Sequence, residues 1–323
     1  MKIAVLGLGA YGIALTKVLH NNDNKIVMWS KFKEEVDSVL LKRENIRVLP
    51  GVKIPKDIEI TTNLEEAVEK SKIIILAVPT SAVRMVAREL AKFITDEQIL
   101  CIVSKGIEKS SNKLLSDVVF EETKSNNICM LTGPSFAIEI ANGSDAGFVV
   151  ASTSQVAGMA VKVCLENDKI VVNTTTDIIG AQICAATKNV FAILVGISDV
   201  VNKTDSCRAA VLTCVLNDLR IITEILGGKP HTVFTYAGVG DLLLTCMSSK
   251  SRNYTLGKYI GQGMELNKAL EKMQVNTIEG LYTLDALINL LENKEIKIRS
   301  LEFLYDILYK NGSKDNILKY IKC

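Results

Sequence analysis

Three glycines near the start of the chain, Gly7, Gly9 and Gly12, follow an apolar run Ile3-Ala4-Val5-Leu6 at the spacing G-x-G-x-x-G. That arrangement suits the pyrophosphate of a dinucleotide. Gly7 permits a bend that a Cβ would obstruct, Gly9 lets phosphates approach the main chain, and Gly12 lets the following helix pack closely on the strand. A helix over 11–19 would then aim free N–H groups and a positive dipole end at the phosphates. The spacing is weak evidence by itself, but a β-prone run precedes it and a second one, 25–29, follows the helix. Hydride chemistry on such a cofactor needs a proton donor or acceptor. The only two histidines, His20 and His231, lie beside polar or Gly-Pro segments and read as surface residues, which leaves a lysine or a carboxylate. Lys188 stands out because it interrupts the small, apolar stretch 181–192, although periodicity alone fits a lysine snorkelling from a helix edge equally well.

The elements that must position these residues fall into two groups. Short β-branched runs at 58–61, 73–78, 98–103, 128–131, 147–151 and 169–173 alternate with helical patterns. The aliphatic core at 73–76 reads as a central parallel strand covered on both faces. This alternation predicts an α/β Rossmann-like, doubly wound domain over 1–180. From about 177 onward apolar residues recur at three and four, predicting an all-α domain over 181–323 entered through a long helix near 177–198. No linker or repeat separates the two, and a cleft between them is expected.

Composition excludes several classes. The chain has 323 residues, is 48% hydrophobic, and carries a net charge of +2 with its charges interspersed, so neither nucleic acid nor a membrane surface is an expected partner. Glycines interrupt what could otherwise pass for an N-terminal signal, no long uncharged run follows, and a cytoplasmic protein without a membrane span is expected. Eight scattered cysteines without a C-x-x-C pair read as buried reduced thiols, with no metal site.

Several longer blocks carry a resemblance. Gly133-Pro134-Ser135-Phe136-Ala137-x-Glu139, the helix containing Lys188-Asn189, and Ala237-Gly238-x-Gly240-Asp241-Leu242 followed by Thr245-Cys246-x-Ser248 and Ser251-Arg252-Asn253 are the most distinctive. Leu49-Pro50-Gly51-Val52-x-Ile54-Pro55, Ala77-Val78-Pro79-Thr80, Ser104-Lys105-Gly106-Ile107-Glu108 and Ile278-Glu279-Gly280 extend the likeness over nearly the whole chain. Together they resemble the NAD(P)-dependent glycerol-3-phosphate dehydrogenase family of bacterial type. The resemblance implies interconversion of dihydroxyacetone phosphate and sn-glycerol 3-phosphate, a step toward glycerophospholipids, with NADP or NAD as cofactor, a small phosphorylated triose as substrate, and a homodimer as an open question.

Carried over position by position, the resemblance implies that Lys188 is the proton acceptor for the substrate's secondary hydroxyl. It places Lys105, Gly133, Ser135, Lys188, Asn189, Asp241, Ser251, Arg252 and Asn253 at the substrate. Cofactor contacts fall on Gly7, Gly9, Ala10, Tyr11, Gly12, Lys31, Lys105, Ala137, Arg252, Thr277 and Glu279. Physical chemistry agrees with these roles. A phosphate needs donors in a fixed fork, which Arg252 supplies with Ser251 and Asn253 alongside. A buried lysine near other cations has a lowered pKa, and Asp241 would orient it or hold the hydroxyl.

Two departures from the family pattern fall in the helical half, Thr204-Asp205-Ser206-Cys207-Arg208 and Thr213-Cys214-Val215, outside the implied catalytic set. A hydroxy-acid dehydrogenase of the same architecture would need a carboxylate site, and a non-catalytic nucleotide-binding regulator should have lost Lys188 or Asp241. For cofactor choice, an NAD site usually carries an acid after the second strand, about twenty residues past the glycines. Here Ser30-Lys31-Phe32-Lys33 follows instead, with Glu34 and Glu35 only afterwards, so Ser30 is expected to hydrogen-bond a 2′-phosphate, Lys31 or Lys33 to offset its charge, and NADPH to be accepted at least as well as NADH.

Overall fold

A computed structural model describes residues 1–322, which form two compact units: Met1–Ser104 with Leu115–Ile178, and Lys105–Leu114 with residues 179–322. The first unit alternates β1 (Lys2–Leu6), α1 (Ala10–Asn21), β2 (Lys25–Trp29), α2 (Lys33–Lys42), β3 (Glu59–Thr61), α3 (Leu64–Val68), β4 (Ile73–Leu76), α4 (Val83–Leu90) and β5 (Ile99–Ile102). It continues with α5 (Leu115–Thr123), β6 (Ile128–Thr132), α6 (Ala137–Ala141), β7 (Ala146–Ser152), α7 (Gln155–Leu165) and β8 (Ile170–Thr175). The second unit holds α8 (Ile178–Val201), α9 (Asp205–Ile225), α10 (Asp241–Cys246), α11 (Arg252–Gly261), α12 (Leu266–Lys272), α13 (Glu279–Glu292), α14 (Arg299–Tyr309) and α15 (Ile317–Tyr320).

All eight strands join one sheet in the order β3-β2-β1-β4-β5-β6-β7-β8. Pairing is parallel throughout except between β6 and β7, where Leu131 faces Val150 in an antiparallel register that the apolar runs alone did not foretell. β4 is Ile-Ile-Ile-Leu with every side chain buried, as a central strand covered on both faces requires. Backbone hydrogen bonding carries β1 into its turn: Gly7 N–H donates to the Trp29 carbonyl at 2.8 Å, so the glycine loop and the end of β2 are held together.

The boundary read from sequence at 180 needs one correction. Lys105–Leu114 follows β5 but belongs with the helices, because Ile107 is buried in their core and Leu114 packs against it. Those helices are organised around α8, whose Phe191, Ile193, Leu194 and Val195 have no exposed surface. Gly196 on α8 and Gly257 on α11 have their Cα atoms where a Cβ on either would run into the other helix's backbone, so the middle of α11 packs directly on α8. Among the described residues α8 is the one helix long and apolar enough to cross a membrane, although Lys188 and Asp199 interrupt it. Burial of 89% of its apolar window is that of a core helix. Six cysteines are buried and free, whereas Cys214, expected to be reduced, is disulfide-bonded.

Candidate active site

The first unit builds a phosphate cradle. Gly7 adopts φ +128°, and a Cβ there would strike the Ala77 carbonyl oxygen, so neither the conformation nor the space admits another residue. A Cβ on Gly9 would meet nothing within 4 Å, so the turn presents open space directly before α1. No side chain caps α1 and no acid lies in its first turn, leaving its positive end available to an anion. These features fit the pyrophosphate of a nicotinamide dinucleotide. Ala10 and Tyr11 open α1, and the Tyr11 hydroxyl lies 2.8 Å from that of Ser135, which also donates to the Gly133 carbonyl at 3.0 Å. Gly133, with φ +146°, ends against the backbone of β7, and Ala137 begins α6. Lys31 is exposed at the end of β2. Ser30, expected to donate to a 2′-phosphate, instead donates to Glu35 at 2.6 Å, and a hydroxyl has only one proton to give.

The second unit gathers an ionic cluster. Lys188 sits midway along α8 with 7% of its surface exposed, so it is not a snorkelling edge residue. Its Nζ donates to Asp241 Oδ1, and Lys105 Nζ donates to Asp241 Oδ2 at 2.8 Å. Asp241 is 1% exposed and opens α10 directly after the π-helical turn Tyr236–Gly240, a strained geometry frequent at functional positions. Thr245 anchors that first turn by donating to the Asp241 carbonyl at 2.6 Å.

Burial is the main influence on Lys188 and pulls its ammonium down to about 8; the Asp241 charge opposes this and the nearby Lys105 charge adds to it. Burial works to raise the Asp241 carboxyl, but Lys105 and Lys188 outweigh it and hold the group below the usual carboxylate range. The cluster therefore offers an amine poised near neutrality beside a carboxylate that stays ionised. A second lysine supplies positive charge.

Beside it, Ser251 caps α11 by accepting from Tyr254 N–H at 3.2 Å. Arg252, the first residue of α11, is exposed and makes no hydrogen bond or ion pair to protein among the described residues. An uncommitted guanidinium at a helix N-terminus is suited to a phosphate. Asn253 is held by protein on both sides: Nδ2 donates to Asn189 Oδ1 at 3.0 Å, while Oδ1 accepts from Gly280 N–H at 3.0 Å. Asn189 Nδ2 in turn donates to Glu279 Oε2 at 3.2 Å. The amides thus link α8, α11 and the start of α13, with Thr277 half-buried in the segment before it. The Gly280 amide in this chain was not foreseen, since a backbone donor leaves no mark in residue types.

This chain is similar to known proteins along its whole length. A family model described as NAD-dependent glycerol-3-phosphate dehydrogenase N-terminus matches residues 2–157, and its C-terminus counterpart matches 177–319. Glycerol-3-phosphate dehydrogenase [NAD(P)+] of Fusobacterium nucleatum is 34% identical over 313 residues, covering 96% of this chain and 93% of that one. Its counterpart in Clostridium acetobutylicum is 35% identical over 310 residues, with 96% and 93% covered. The crystal structure of glycerol-3-phosphate dehydrogenase from Coxiella burnetii superposes with a TM-score of 0.91 at 29% identity, covering 98% of this chain and 97% of that one. With matching models over both halves and these relatives along its length, the chain belongs to the NAD-dependent glycerol-3-phosphate dehydrogenase family.

Proposed function

We propose that the protein interconverts dihydroxyacetone phosphate and sn-glycerol 3-phosphate with NAD(H) or NADP(H). The observation that carries this reading is the buried amine of Lys188, lowered to about 8 and hydrogen-bonded to an ionised Asp241, in a family of dehydrogenases. When bound, the nicotinamide supplies or takes up a hydride. Gly7, Gly9, Ala10, Tyr11 and Gly12 would hold its pyrophosphate on α1, with Lys31 and Ala137 as further contacts.

In the oxidation direction neutral Lys188 accepts the proton of the secondary hydroxyl at Nζ; in reduction its ammonium returns that proton and steadies the developing alkoxide. Asp241 orients the amine, and as an ionised acceptor between two ammonium groups it keeps Lys105 and Lys188 at hydrogen-bond distance from one carboxylate. Arg252, with Ser251 and the first N–H groups of α11, binds the phosphate. Asn253 supports Asn189 next to the base. The reading extends to a cytoplasmic enzyme feeding glycerophospholipid synthesis. Incubating the protein with dihydroxyacetone phosphate and NADH or NADPH, then identifying the product by mass spectrometry, tests it: one glycerol 3-phosphate is expected per nicotinamide oxidised. No such product with either cofactor would refute the activity.

A further inference from the structure

The end of β2 holds an arrangement that residue types did not disclose. Ser30 is 4% exposed; its hydroxyl donates to Glu35 Oε2 at 2.6 Å and accepts from the Phe32 amide at 3.3 Å. Glu35 Oε1 accepts from Asn45 Nδ2 at 3.1 Å, and the same buried amide donates to the carbonyl of Leu8 at 2.9 Å. Leu8 stands between the first two glycines of the phosphate loop. The carboxylate is therefore tied on one side to the end of β2 and on the other, through Asn45, to the loop that holds the pyrophosphate. Although it comes from the first turn of α2, it is delivered to where a dinucleotide-binding sheet ordinarily carries the acid that receives the adenosine ribose hydroxyls.

We propose that Glu35 sets the cofactor choice: held by Ser30 and Asn45, it accepts the ribose hydroxyls of NAD(H) and excludes the 2′-phosphate of NADP(H). This rests on the dinucleotide site described above and reverses the preference expected from Ser30 and the neighbouring lysines. Three observations support it. Each carboxylate oxygen accepts one bond from protein, which leaves lone pairs for hydroxyl donors. Ser30 has no second proton for a phosphate. Lys31 turns toward Met85, with Nζ 3.5 Å from its sulfur and 5.5 Å from the centre of the Phe32 ring, and Lys33 is exposed as the first residue of α2. A phosphate brought beside the anchored carboxylate meets like charge.

Calorimetric titration with ADP-ribose and 2′-phospho-ADP-ribose tests the choice without turnover. Wild type should bind ADP-ribose at least about tenfold more tightly, the size of one charge-assisted contact. Glu35→Gln keeps the side-chain length and removes the charge; it should narrow the ratio at least about tenfold, chiefly by improving binding of the phosphorylated ligand. Fluorescence of Trp29, the single tryptophan, which directly precedes Ser30, reports whether the variant keeps its fold. If it does not, the wild-type ratio decides. Equal or tighter binding of the 2′-phosphorylated ligand by wild type, or an unchanged ratio in a folded Glu35→Gln, overturns the assignment. Failure of wild type to bind either ligand would instead remove the dinucleotide site, and the proposal with it.

Discussion

Lys188 is the residue on which the chemistry turns, because burial brings its ammonium to about 8 while Asp241 restrains the shift. Replacing it with alanine should lower kcat by roughly 10²-fold to 10⁴-fold and leave the Kd for ADP-ribose unchanged, as loss of a general acid-base group does. Near-normal turnover in that variant would show that the amine carries no proton. The pH dependence has a definite sign. Oxidation needs the neutral amine, so its kcat/KM should rise as pH passes through about 8, whereas reduction needs the ammonium and should fall over the same range. Asp241→Asn removes the charge that raises the Lys188 pKa, so the inflection should move to lower pH; a shift upward would contradict the ion pair. The prominence of Lys188 was legible as a lone charge in an apolar stretch. Asp241 as its orienting partner was expected through the family resemblance, but the bond from Lys105 to the same carboxylate was not, because 136 residues separate those two and only the fold joins them.

At the scale of elements, strands and helices followed apolar periodicity closely, and the glycine turn was legible because Gly7 needs a positive φ. Three features escaped. The antiparallel seating of β7 depends on pairing, which alternation does not encode; Lys105–Leu114 joins the helices through the burial of Ile107; and Glu35 folds back on Ser30 through a turn of α2. The link between α11 and α13 offers a test of position. A Cβ on Gly280 would lie 2.5 Å from Asn253 Oδ1, 2.7 Å from the Asn189 carbonyl oxygen and 2.9 Å from Ile193 Cδ1. Gly280→Ala should therefore cost about 1–3 kcal/mol in denaturant unfolding, the range for overpacking, and reduce kcat/KM for dihydroxyacetone phosphate by displacing Asn253 from Asn189. A stable variant with wild-type kinetics would show that the two amides need not be held.

For the molecule as a whole, family membership rests on matches to both halves, and each unit contributes its own chemistry: a phosphate cradle on the sheet and an ionic cluster among the helices. The central claim is that these serve a phosphorylated ketone. Its most direct test is the ratio of kcat/KM for dihydroxyacetone phosphate over unphosphorylated dihydroxyacetone, followed by nicotinamide absorbance in wild type and Arg252→Ala. Charge-assisted contacts at Arg252 and the start of α11 should make the wild-type ratio about a hundredfold or more, and Arg252→Ala should reduce that ratio at least about tenfold. Equal efficiency on the two ketones, or a ratio that survives the loss of Arg252, would contradict the account.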